Sequence, residues 1–267
     1  MPRQAVPADA PPKDEVAALA RGLAVLQAIA SAEKPLSNRA LADATGIPKA
    51  TVSRLAATLL GAGYLRQDED SELFSLGPTL LDLSSAYLRD FDMRTLARPH
   101  LAELAEYAGA SVHMGLRDGC DILMIESVRP RLAVVLSRTG IGTRMNIATS
   151  ASGRAYYAAL GADERKLLAD ELRSASPKGW TARKASLDRA VVECTEKGYC
   201  SSFEEWHPDI NALGFTLRGP RGELYAVSCG GPAYRLTPEL MHKRVAPRLV
   251  QTQRAIARAV GTSFRAP

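Results

Sequence analysis

Residues 36–76 read LSNRALADATGIPKATVSRLAATLLGAGYLRQDEDSELFSL, and this stretch decides the fold of the N-terminal part of the chain. Ser37 can cap a helix, and Gly46 suits the left-handed residue that ends one. Pro48 fits the first position of a second helix, where its missing N–H costs nothing. Apolar residues recur at helical spacing on that second helix: Val52, Leu55, Ala56 and Leu59. The stretch therefore predicts a helix-turn-helix.

The opposite face of the second helix carries polar or small side chains, as in a helix that enters the major groove of DNA. These residues are Lys49, Ala50, Ser53, Arg54 and Ala57, with Thr51 at the edge. Residues 34–66 hold five Lys or Arg and one acid, Asp43, which favours attraction to phosphate. A helical hairpin within an α/β domain is the alternative, but the order of cap, turn and inward residues favours DNA binding.

Two short strands, Tyr64–Gln67 and Leu73–Leu76, are predicted to form a wing after the second helix. The segment between them, Asp68–Glu72, carries four acids. Negative charges facing phosphates are unfavourable. Either the tip points away from DNA, or only Arg66 at the base of the wing makes contact.

Helical patterns flank this module on both sides. The first, Asp14–Ser31, has apolar residues at helical spacing: Leu19, Leu23, Leu26 and Ile29 or Ala30. After Gly77-Pro78 a further helix is predicted at Thr79–Arg89. The boundaries predicted from these signals are a winged helix-turn-helix domain at residues 14–77 and a linker helix at residues 78–90.

The remainder of the chain, residues 91–261, predicts a second domain. Hairpin signals alternate there with helical patterns, and the strongest is Asp118-Gly119. The predicted strands are Ser111–Arg117, Cys120–Val128, Ala133–Ser137, Tyr199–Phe203, Ile210–Arg218 and Leu224–Cys229. The predicted helices run through Leu96–Tyr107, Ala155–Ala159, Asp163–Leu172 and Lys184–Lys197, with a last one that begins at Thr237-Pro238 and bends at Pro247. This order predicts an α+β domain with a mostly antiparallel sheet flanked by helices.

Composition is that of a soluble globular protein: 267 residues, 46% hydrophobic, 24% charged and a net charge of +5. The last segment, residues 241–267, holds six Lys or Arg and no acid, which we interpret as a solvated helix face rather than a nucleic-acid-binding tail. Met1–Lys13 has no apolar run like that of a signal peptide and is expected to be a disordered tail. No membrane span is expected, and a cytoplasmic location follows.

Four cysteines, at positions 120, 194, 200 and 229, form no Cys-x-x-Cys pair. Each is expected to be a reduced, small core residue rather than a metal ligand, so no cofactor and no metal site are predicted. An enzyme that uses Cys120, Cys200 or Cys229 with His113 or His207 is an alternative, but no spacing establishes a thiolate beside a base. A redox- or metal-sensing regulator is a further alternative.

The order of these parts resembles the IclR family of bacterial transcription regulators from about Leu19 to Ala259. The matching stretches are RGLAVLQAIA at 21–30, IPKATVSRLAATL at 47–59, LG at 76–77, ATSASGRA at 148–155 and SCGGP at 228–232. The resemblance implies an N-terminal winged helix-turn-helix, a linker helix and a C-terminal effector-binding domain of GAF-like topology. It further implies homodimers or homotetramers on double-stranded operator DNA, and a regulator rather than an enzyme.

The resemblance also implies site residues. The residues expected at DNA are Ser37, Arg39, Lys49, Thr51, Ser53, Arg54 and Arg66. The resemblance carries Arg54, at the position where the family usually has arginine, and Lys49, Thr51 and Ser53, which match neighbouring contact positions. Those expected at a small-molecule effector are Ser150, Ala151, Ser202, Ile210, Ala212, Ser228 and Gly230. Gly230 stands where the family has a second serine, so one hydroxyl is missing.

The helix that begins after Ser150 could hold a carboxylate at its N-terminal N–H groups, so the effector is expected to be an organic or aromatic acid. Trp206 and His207 are expected either to cover the mouth of the pocket or to pack at an interface. The resulting hypothesis is a transcriptional regulator, repressor or activator, that a small metabolite controls.

Overall fold

The computed structural model describes residues 16–89, 91–131 and 139–261. The chain forms two compact units, one up to Asp90 and the other from Phe91 onward. The predicted tail Met1–Lys13 and the predicted strand Ala133–Ser137 lie outside the described residues. No helix in the described ranges is long and apolar enough to cross a membrane.

The N-terminal unit contains four helices and a two-stranded antiparallel wing within its described residues. They are α1 (Ala17–Ser31), α2 (Asn38–Thr45), α3 (Lys49–Gly61), β1 (Leu65–Gln67), β2 (Phe74–Leu76) and α4 (Thr79–Arg89). The Ser37 hydroxyl caps α2 by accepting a hydrogen bond from the Ala40 N–H at 3.2 Å, and Gly46 ends α2 with a φ of 69°. Pro48 then directly precedes α3. The predicted helix-turn-helix is therefore formed by the predicted caps.

The buried face of α1 differs from the predicted one. Leu19 and Leu23 are 63% and 50% exposed, while Gly22, Val25 and Ile29 are buried. Two apolar stripes of helical period run along this helix, and only one of them contains glycine. A Cβ on Gly22 would lie 4.0 Å from the Leu55 side chain, an ordinary contact distance, so Gly22 faces α3 and its stripe is the one that enters the core.

The C-terminal unit contains a six-stranded antiparallel sheet among its described residues. Its elements are α5 (Asp92–Ala108), β3 (Ser111–Asp118), β4 (Asp121–Val128), β5 (Arg144–Asn146), α6 (Ala151–Ala159), α7 (Ala162–Ala175), α8 (Trp180–Lys197), β6 (Cys200–Phe203), β7 (Ile210–Arg218), β8 (Leu224–Pro232), α9 (Pro238–Leu240), a π-helical turn (Met241–Val245) and α10 (Ala246–Ala259). The strand order is β5-β4-β3-β8-β7-β6. The predicted α+β class with a mostly antiparallel sheet is confirmed.

Helices pack on this sheet in two pairs, α6 with α8 and α5 with α10. Asp118 pairs with Asp121 at the end of the first hairpin, so its turn residues are Gly119 and Cys120, one position later than predicted. Gly119 has a φ of 63°, which explains why glycine stands in this turn. Apolar strand and helix residues such as Ile122 and Leu187 are buried together and form a core of the unit.

Two helix ends differ from their predicted positions. Helix α8 begins at Trp180, four residues before the predicted Lys184, after Gly179 in the left-handed conformation. In the closing segment, Thr237 caps α9 as predicted, but the irregularity lies in the π-helical turn Met241–Val245, immediately before Pro247. Pro247 donates no N–H, so the turn preceding it is free to take the wider spacing.

Candidate ligand cavity and nucleic-acid interface

A cavity of the C-terminal unit lies over four neighbouring strands. Ser111 of β3 pairs with Gly230 of β8, Gly230 pairs with Ala212 of β7, and Ala212 pairs with Ser202 of β6. All four residues line the cavity. A row of small side chains across the sheet therefore leaves open the space that larger residues would fill.

The walls of the cavity come from loops and from the start of α6. The structure brings all seven predicted effector residues to this cavity: Ser150, Ala151, Ser202, Ile210, Ala212, Ser228 and Gly230. Trp206, expected either to cover the mouth of the pocket or to pack at an interface, lines the cavity as well. His207 is exposed and is not among the described lining residues of the cavity. Polar or basic lining residues that were not expected there are Ser111, His113, Arg129, Thr139 and Arg235.

At the start of α6, the groups that a ligand could use are backbone N–H donors, because the Ser150 hydroxyl is already engaged as the helix cap. The Ser150 hydroxyl accepts from the Gly153 N–H at 3.1 Å and donates to the Asn146 carbonyl at 2.8 Å, so it is the helix cap. The first intrahelical bond runs from the Arg154 N–H to the Ser150 carbonyl, which leaves the N–H groups of Ala151 and Ser152 ahead of it. Such N–H groups favour an anion.

The other predicted serine contacts are constrained too. Ser202 donates its hydroxyl hydrogen to the Thr149 carbonyl at 2.6 Å, so its oxygen retains only acceptor capacity toward a ligand. At Gly230 a Cβ would lie 2.6 Å from the Ala212 Cβ and 2.8 Å from the Asn211 carbonyl oxygen. The close approach of β7 therefore explains why a serine side chain is absent from this position.

His113 is a buried polar residue of the cavity. It is 5% exposed, its Nε2 lies 3.3 Å from the Thr139 hydroxyl, and its buried Nδ1 forms no hydrogen bond with any residue that the structure describes. Burial is the larger cause, and the positive charge of Arg129 the smaller one, that together lower the pKa of this imidazole to about 4. The side chain is thus neutral at neutral pH. On β3 it stands opposite Ser228 of β8.

Arg154 of α6 ties the walls of the cavity together. Its side chain is almost completely buried and donates to the carbonyls of Ala148 and Ser201, each at 3.1 Å. It also pairs with both carboxylate oxygens of Glu205, at 2.7 and 2.6 Å. Hydrogen bonding from the Arg154 guanidinium is the largest of the effects that hold the pKa of Glu205 below its usual value. Because Glu205 precedes Trp206, this ion pair fixes the segment at the cavity.

The predicted DNA-reading residues lie on α2, α3 and the wing. Four cationic ones are exposed: Arg39, Lys49, Arg54 and Arg66. Ser37 is occupied as the cap of α2, and Thr51 is half-buried. Ser53 donates to the Lys49 carbonyl at 3.1 Å and accepts from Asn38, the first residue of α2, which was not among the predicted DNA-reading residues.

The acidic wing tip folds back on itself. Asp68 accepts hydrogen bonds from the Ser71 N–H at 2.9 Å and the Ser71 hydroxyl at 2.6 Å, and Glu72 has a φ of 56°. The hydrogen bond from the Ser71 hydroxyl, and to a smaller extent the one from its N–H, lowers the pKa of Asp68. The turn is therefore held by one of its own acids, which keeps that negative charge on the tip of the wing.

The thiols named in the enzyme alternative are in environments that favour the protonated form. Burial raises the pKa of Cys120 and Cys200, and raises that of Cys229 to about 12. A protonated thiol is a poor nucleophile. In the part of the chain that the structure describes, no group of three His, Cys, Asp or Glu side chains could hold a metal ion.

Comparison with known proteins places these features in a family. The family model for the C-terminal domain of the bacterial transcriptional regulator IclR matches residues 85–260, and the model for the IclR helix-turn-helix domain matches residues 18–69. The HTH-type transcriptional regulator TsaQ1/TsaQ2 of Comamonas testosteroni is 31% identical over 239 residues, covering 88% of this chain and 85% of that protein.

Solved structures agree with these matches. An IclR family transcriptional regulator from Brucella abortus has a TM-score of 0.78 at 36% identity and covers 96% of this chain and 97% of its own. An IclR homolog from Microbacterium hydrocarbonoxydans, complexed with 4-hydroxybenzoate, shares the fold at 18% identity, with a TM-score of 0.74 and coverage of 92% and 100%. The exposed cations of the helix-turn-helix and the family matches together lead to one conclusion: this chain belongs to the IclR family, and it is a DNA-binding transcriptional regulator rather than an enzyme.

Proposed function

We propose that a small organic or aromatic acid, bound in the cavity of the C-terminal unit, controls how tightly this regulator binds its operator. The observation that carries the proposal is the charge of the cavity. Arg129 and Arg235 line it, the first N–H groups of α6 stand beside it, and its described lining residues include no carboxylate. Apolar side chains such as Met145 and Ile210 supply the remaining contact surface. This combination suits an anion with an apolar body.

The direct test is a titration of the full chain with acids of graded size. The Microbacterium protein was solved with 4-hydroxybenzoate, which makes this acid a reasonable first probe, followed by benzoate and pyruvate. Isothermal calorimetry is expected to detect saturable binding of at least one acid, and that acid is expected to change the affinity for the DNA flanking the gene in a gel-shift titration. Binding of uncharged amides of the same acids, with no binding of the acids, would contradict the proposal.

Arg54 is the proposed principal DNA contact. It is exposed on α3, and its guanidinium forms no ion pair among the described residues. An arginine that is bidentate to guanine contributes roughly 1–3 kcal/mol, so Arg54→Ala is expected to weaken operator binding by about tenfold to a hundredfold. The thermal midpoint of unfolding should stay within about 1 °C, because no buried contact is lost.

The control for this prediction is Arg21→Ala, which removes an exposed arginine of α1 in the same unit. Gel-shift or fluorescence-anisotropy titrations at two salt concentrations would compare the three proteins. If Arg21→Ala and Arg54→Ala lower the affinity equally, only the net charge matters, and the assignment of Arg54 as a specific contact is wrong.

We also propose that the chain is a homodimer or homotetramer that uses α4. No residue of this helix is buried within the described chain, although Leu81 and Leu83 are 70% and 54% exposed. A helix with exposed leucines at several positions is stable when another surface covers it. A second copy of the chain fits, because two recognition helices then read two half-sites of DNA.

Leu83→Glu is expected to shift the protein toward the monomer, because it would place a charge in the covered face. Sedimentation velocity over a concentration series measures this shift, and we expect the dissociation constant to rise by at least about tenfold. Ser85→Glu adds the same charge on the side of α4 opposite Leu83, the residue tested, and serves as the control for that face. Equal self-association of both variants and the wild type would exclude α4 from the interface.

A further inference from the structure

Two of the four cysteines lie next to each other in the C-terminal unit. Cys194 is in the last turn of α8, and Cys200 is the first residue of β6. Gly198, between them, ends α8 with a φ of 78° and donates its N–H to the Cys194 carbonyl at 3.0 Å. The chain reverses there, so β6 lies against α8, and the Cys194 side chain packs on the buried cluster that contains Cys200.

The two thiols interact, and they differ in their access to solvent. Burial is the largest cause that raises the pKa of Cys200, and a hydrogen bond with the Cys194 side chain is the next. Cys200 is completely buried, whereas Cys194 is partly exposed and lines a groove of about 940 Å³ at the ends of α6, α8 and α10. A small oxidant in this groove can therefore reach the sulfur of Cys194 but not that of Cys200.

We propose that Cys194 and Cys200 form a reversible disulfide when a peroxide oxidises this regulator. In the first step, hydrogen peroxide transfers a hydroxyl to the Cys194 sulfur. The O–O bond breaks, an S–O bond forms, and the second oxygen leaves as water with the thiol proton. In the second step, the Cys200 sulfur attacks the sulfenic acid, so that an S–S bond forms and the S–O bond breaks. The hydroxyl leaves as water with the Cys200 proton, and the peroxide has been reduced to two waters.

Contact between the two sulfurs is what makes the second step possible. A buried thiol that stays protonated is a slow nucleophile, but contact with Cys194 gives it a high effective concentration. Cys120 is partly exposed too, yet its pKa responds first to burial and then to Glu171, Asp121 and Arg117, not to a second thiol. Oxidation of Cys120 should therefore stop at the sulfenic acid, which makes this residue an internal control.

The disulfide would also change a contact of the ligand cavity. The Cys200 thiol donates a hydrogen bond to the Ala151 carbonyl at 3.5 Å, and Ala151 lines the cavity at the start of α6. A disulfide has no S–H group, so oxidation removes this hydrogen bond. Oxidation therefore acts on α6 without the involvement of a bound acid, and the inference goes beyond the proposed function.

Peptide mapping of the full chain tests the disulfide, after treatment with hydrogen peroxide in the presence of dimedone, which traps sulfenic acids. We expect a cross-link between Cys194 and Cys200 that is about 2 Da lighter than the two reduced thiols and that dithiothreitol reverses. Dimedone is expected on Cys120. In Cys200→Ala, dimedone should label Cys194 as well, and in Cys194→Ala the buried Cys200 should stay unmodified.

The map of the wild type decides the inference even if a variant does not fold. The inference is overturned if both thiols remain free, or if Cys194 of the wild type carries dimedone. It is also overturned if the cross-link joins two chains or involves Cys120 or Cys229.

Hydrogen exchange tests the consequence for the cavity. We expect the amides of α6 to exchange about threefold faster in the oxidised protein than in the reduced one, because one hydrogen bond to the helix is lost. Helix α7 serves as the reference, and dithiothreitol should restore the slower rate. Unchanged exchange of α6 in fully oxidised protein would contradict the link between the disulfide and the cavity.

Discussion

Arg154→Ala is expected to lower the free energy of unfolding of the C-terminal unit by about 3 kcal/mol and to remove measurable ligand binding. Arg154 is 2% exposed, and its guanidinium makes hydrogen bonds to two backbone carbonyls and to Glu205. Removing it leaves these acceptors without their donor and opens a void. Glu205 is 39% exposed and can regain water, which keeps the expected loss at the low end for a buried ion pair.

Ligand binding is expected to fail because Arg154 holds two walls of the cavity. Through the Ala148 carbonyl it fixes the approach to α6, and through Glu205 it fixes the residue before Trp206. Urea unfolding followed by circular dichroism would measure the stability, and calorimetry with the acid that the wild type binds would measure the affinity.

Two further variants make this result interpretable. Arg173→Ala removes an exposed arginine whose partner, Asp170, lies at 3.6 Å on the same helix, and its effect should stay below about 0.5 kcal/mol. Glu205→Gln keeps the side-chain volume and removes the charge, and it should lower ligand affinity even if Arg154→Ala does not fold. Wild-type stability of Arg154→Ala would mean that the ion pair does not hold this part of the molecule.

Gly214→Ala is expected to lower the free energy of unfolding by about 3 kcal/mol through overpacking. A Cβ at this position of β7 would overlap the backbone carbonyl of Ala151, and it would lie 3.0 Å from the Ser152 backbone nitrogen. Neither neighbour is a flexible side chain that could rotate away. Since Ala151 also lines the cavity, the displaced start of α6 should weaken acid binding by at least about tenfold.

The matched control is Gly140→Ala, since a Cβ on Gly140 meets no atom within 4 Å. Differential scanning fluorimetry should show a drop in the thermal midpoint of several degrees for Gly214→Ala and a change below about 1 °C for the control. Equal midpoints for the two variants would show that β7 and α6 can separate at little cost, and that the close contact does not shape the cavity.

Local signals in the sequence predicted the helix-turn-helix correctly. The Ser37 cap and the left-handed Gly46 are where they were predicted, and the second helix begins at Lys49, one residue after the predicted start at Pro48. Each of these signals acts within a few residues, so the neighbouring chain is enough to specify them. Family resemblance added the seven effector residues, and the structure brings them to one cavity; their contact with a ligand stays a prediction. The family membership and the α+β fold are confirmed.

Tertiary structure decided what depends on distant partners. The period of α1 was visible in the sequence, but which stripe faces inward, that of Gly22 or that of Leu19, depends on the residues of other helices that pack against it. The bonds of Arg154 reach residues 47 and 51 positions away, and the burial of the His113 ring follows from the strands and loops packed around it. The local elements and the family could be predicted from the sequence alone. Which residues are buried, which charges pair and which side chains line the cavity depend on the tertiary structure, because those properties belong to pairs of residues far apart along the chain.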